Sequence, residues 1–148
     1  MAMVTPEVYY FAQCVKAMAL AKEEKSKAEI IAKESHLKLT EMKEAQEKAK
    51  NDAMFAGQYT YLTIHDANGT IDLTILAEKL MSVIYNEKEA EKILSEAKEK
   101  EKEASDEYDK AIYNNEVANK NYSDAVNKME IAWKTAQDSV KLNLNKIN

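Results

Sequence analysis

The chain has 148 residues, a net charge of -5 and charged side chains at 32% of positions, with only two glycines and one proline. So few breakers among so many Lys, Glu and Ala residues point to long helices or a coiled coil and away from a sheet-built domain. Every basic residue is a lysine; with no arginine, the side chain best suited to bidentate phosphate and guanine contacts is missing, which argues against nucleic-acid binding.

The first predicted element opens at Thr5-Pro6-Glu7. Thr can cap free N–H groups, Pro suits the first helical position, and Glu complements the positive end of the helix dipole. With no further Gly or Pro between Pro6 and Gly57, one helix is expected over 6–55. A loop or small β-hairpin is expected over 56–72. Tyr59-Thr60-Tyr61-Leu62-Thr63-Ile64 is β-branched and aromatic, and Asn68-Gly69 is a strong hairpin signal. Asp72 is placed to cap a second helix, expected over 73–147, that nothing breaks.

A seven-residue repeat runs through the second helix. One position reads Leu76, Val83, Ala90, Ala97, Ala104, Ala111, Ala118, Ala125, Ala132; three residues earlier stand Leu73, Leu80, Glu87, Leu94, Glu101, Tyr108, Asn115, Tyr122, Met129. In the first helix Cys14, Ala21, Ala28, Ser35, Met42, Ala49 and Ala56 match it, beside Phe11, Met18, Ala32, Leu39 and Ala53. A 3.5-residue spacing keeps one seam facing a partner helix. The expected fold is therefore mainly α: two long helices in an antiparallel coiled-coil hairpin, forming a single elongated domain over 1–148. Lys25, Gln46, Glu87, Glu101 and Asn115 interrupt the seam and should fix register at a cost in stability.

Two segments exceed what one seam can cover. Residues 8–21 are apolar almost all round, and such a helix needs burial on more than one side. Near the other end Ile131, Trp133, Val140, Leu142, Leu144 and Ile147 spread beyond the seam. An antiparallel hairpin brings these ends together, so Val8, Phe11, Val15, Met18, Leu20, Trp133, Val140, Leu144 and Ile147 are the expected assembly interface.

Chemistry has little to stand on. His65-Asp66 could serve a metal or a general base, but no further His or Cys stands nearby. Asp66-Ala67-Asn68-Gly69 lacks the Glu a calcium loop needs at its twelfth position, which is Ala77. Cys14 falls on the seam and reads as core, and one cysteine excludes an internal disulfide. The charge run from Glu96 to Glu103 reads as a solvated helix face. No metal, cofactor or catalytic residue is expected, and the chain does not read as an enzyme. No apolar run nears the roughly 18 residues of a membrane span, and no charged n-region precedes an apolar stretch; membrane contact is not expected.

The order of parts resembles the filament and needle-tip proteins of bacterial type III secretion systems, the EspA/SseB type. Those proteins also run from an apolar helix into a charged coiled-coil strand, a short variable segment and a long final helix. Lys110-Ala111-Ile112, Ala118-Asn119 and Glu130-Ile131 resemble the start of that family's C-terminal helix; Asp66, Asn68, Ile71 and Asp72 resemble its middle segment. The resemblance implies a secreted structural protein, exported by a leaderless route, that stacks into a homo-oligomeric filament. It also implies a small helical chaperone that covers the apolar helices before export. The alternative expectation is a cytoplasmic coiled-coil adaptor or chaperone that dimerises and binds a client helix.

Overall fold

The computed structural model of the chain describes residues 5–69 and 72–147, with the side chains of all of these except Asn68 and residues 143–147. Two long helices, α1 (Pro6–Asp66) and α2 (Leu73–Ile147), pack against each other and are joined through a short 3-10 turn at Ala67–Gly69. Both capping expectations hold. The Val8 amide donates to Thr5 Oγ1 at 3.2 Å, and the Thr74 amide donates to Asp72 Oδ1 at 3.0 Å. Each satisfies a donor that the first helical turn leaves free.

The expected end of the first helix at residue 55 is corrected: α1 runs on to Asp66, and no strand occurs among the described residues. The β-rich segment stays helical because the seam continues through it. Ala56, Thr60, Thr63 and Ala67 keep the same spacing and all escape full exposure. Thr60 is buried, its hydroxyl 3.0 Å from the Ala56 carbonyl and, across the interface, 3.3 Å from the Val83 carbonyl. Thr63 donates to the Tyr59 carbonyl at 2.9 Å. Local propensity is a weak term beside this packing, and a single helical glycine costs only about 1 kcal/mol. Asn68-Gly69 does mark the reversal of the chain, but between helices, and no described glycine adopts positive φ.

Packing gathers the hairpin into two units: Met1–Glu34 with Asp109–Asn148, and Ser35–Tyr108. In the first, partners fall along α2 as they rise along α1. Glu7 meets Ser139 (3.1 Å), Phe11 meets Trp133 (5.0 Å between ring centres), and Lys25 lies over Tyr122 (4.9 Å). Its buried apolar residues are Cys14, Ala32, Ala111, Ala118, Ala132 and Ala136. The Lys25 ammonium thus finds a π-face where the seam would leave a charge unpaired. Asn115 finds less: its buried Oδ1 has no hydrogen-bond partner.

The second unit is antiparallel by the same test. Lys38 pairs with Glu107 (3.2 Å), the His36 ring packs on Tyr108 (5.4 Å), and Thr60 reaches Val83. Leu39, Ala49, Val83 and Ala104 are its buried apolar residues. Both cores are thin. Alanine contributes little apolar area, and no large side chain among the described residues is fully buried, so burial at about 25 cal/mol per Å² yields a small stabilisation per turn.

Candidate assembly surface

The seam alanines divide between the two units. Ala90, Ala97 and Ala104 lie in the second, with Ala104 buried at 2% exposure and the others half-buried; Ala111, Ala118 and Ala132 are buried in the first, with Ala125 half-buried. Small residues at these positions let helix backbones approach closely, which leaves larger neighbours to form the flanks of the seam.

In the first unit those flanks make a surface. Val8, Phe11, Trp133 and Val140, four of the nine expected interface residues, line one open hollow of about 240 Å³ together with Ala136, Gln137 and Lys141. The Phe11 and Trp133 rings sit 5.0 Å apart, tilted by 45°, within the range where aromatic pairs attract beyond their buried area. Trp133 remains 48% exposed and Val140 41%. Gln137 and Lys141 supply the polar rim.

The other expected residues scatter around this hollow. Val15 is exposed one heptad after Val8, on the same side of α1. Met18 is half-buried on the seam itself. Leu20 is exposed and is not part of the hollow. Leu144 and Ile147 lie on α2, but their side chains fall outside the described residues.

Sequence reasoning missed two contributors. Ala136 is buried beneath the hollow, and Val126 is half-buried one heptad before Trp133. Tyr10, within the apolar segment 8–21, and Ile131, singled out beyond the seam, line a second hollow of about 270 Å³ with Pro6, Glu7, Ala132 and Thr135. The signal was present: Val126, Trp133 and Val140 recur every seven residues on α2, as Val8 and Val15 do on α1. That flanking position sits beside the seam in a heptad, and an apolar seam widened by one flank is the pattern of a helix packed in a bundle.

Polar groups around the surface are few. Glu7 accepts a hydrogen bond from the Ser139 hydroxyl at 3.1 Å. Backbone N–H donation at the helix start, and then Ser139, hold its carboxyl below the ordinary carboxylate range. The Tyr10 hydroxyl is pushed up by its hydrogen bond and charge interaction with Cys14. His65 and Asp66 stand 3.7 Å apart with both side chains largely in solvent, and no cluster suited to a metal ion occurs among the described residues. No described helix is long and apolar enough to cross a membrane. Compared with models of known families, with curated proteins and with solved structures, the chain matches none.

Proposed function

We propose that this chain is a non-enzymatic structural protein that self-assembles by helix packing through the surface around Phe11 and Trp133. The observation that supports this most is the hollow of Val8, Phe11, Trp133 and Val140, set over a core built mainly of alanine. A hairpin with so little buried apolar area gains from covering its exposed aromatic and β-branched side chains with another helix. A contact between unlike surfaces that does not close into a ring propagates as a filament. An extracellular filament or secretion-needle extension, with a helical chaperone before export, is the form that the type III secretion resemblance adds to this reading.

The test is negative-stain microscopy and light scattering over a concentration series, on the natural sequence and on Val140→Asp. Uniform filaments from the first and none from the second are expected, with equal helix content. A discrete dimer at every concentration would instead favour an adaptor. The feature that would suit that second reading is the same hollow, which lies between two helices and could seat the apolar face of one client helix.

A further inference from the structure

We draw no further inference here: the strongest candidate, the apolar surface at the turn end of the second unit, where Tyr61 and Leu62 on α1 and Ile75 and Met81 on α2 stand exposed, carries nothing because nothing in the structure shows what covers it.

Discussion

Phe11 and Trp133, more than a hundred residues apart in sequence, bring their rings to 5.0 Å at 45°. Phe11 lies on the seam and Trp133 on its flank, so the pair joins the hairpin's core to the hollow proposed for assembly. Trp133→Ala should therefore act twice. Losing the ring pair and part of its buried area should lower the stability of the hairpin by about 1–2 kcal/mol, less than for a fully buried tryptophan. Filament growth should fall further than that loss explains. Urea unfolding beside light scattering separates the two, and growth that tracks stability alone would count against a role in assembly.

Ala111→Leu tests the seam. Ala111 is 4% exposed in the first unit, and the added side-chain carbons have nowhere to go without parting the helices. The expected loss is about 1–3 kcal/mol from overpacking, seen as an earlier urea midpoint. A midpoint that does not move would mean the helices are further apart than the burial of Ala111 indicates.

Asn115→Leu should have the opposite sign. The buried Asn115 Oδ1 has no partner, and an unsatisfied buried acceptor costs about 1–3 kcal/mol. Replacing it with an apolar side chain of similar size should raise stability by ~1 kcal/mol or more. The same change should loosen specificity, because a polar seam residue holds register. A variant that melts lower than the natural sequence would show that the amide is satisfied in solution.

The seam was legible in the sequence because its period is geometric. Alanine every seven residues from Ala90 to Ala132 can face one partner only if the helix persists, and the burial pattern follows it position by position. The end of α1 is not legible in the same way, because Gly57 and the Tyr59–Ile64 composition express only local preferences. Thr60 and Thr63 hold the heptad spacing and return their hydroxyls to the helix, so tertiary packing decides there. The hollow was half legible. Phe11 and Trp133 stand out by size, whereas Ala136 does not, since only its place one turn beyond Ala132 puts it beneath the aromatic pair. Pairing across the seam, such as Lys25 over Tyr122, depends on antiparallel register, which composition does not encode.

Glu7 gives the hairpin an acid-sensitive end. Its carboxyl sits below the ordinary range because backbone donors at the start of α1 and the Ser139 hydroxyl favour the charged form. A carboxyl with a folded pKa lower than its unfolded one contributes stability that is present above the unfolded value. That contribution is lost as pH falls through the folded value. Thermal unfolding followed from neutral pH down into the carboxylate range should show a decline that Glu7→Gln reduces. Ser139→Ala should reduce it less, because backbone donation is the larger cause and survives the change. Equal acid sensitivity in the natural sequence and Glu7→Gln would place the response in other carboxylates and remove Glu7 from the account of this end.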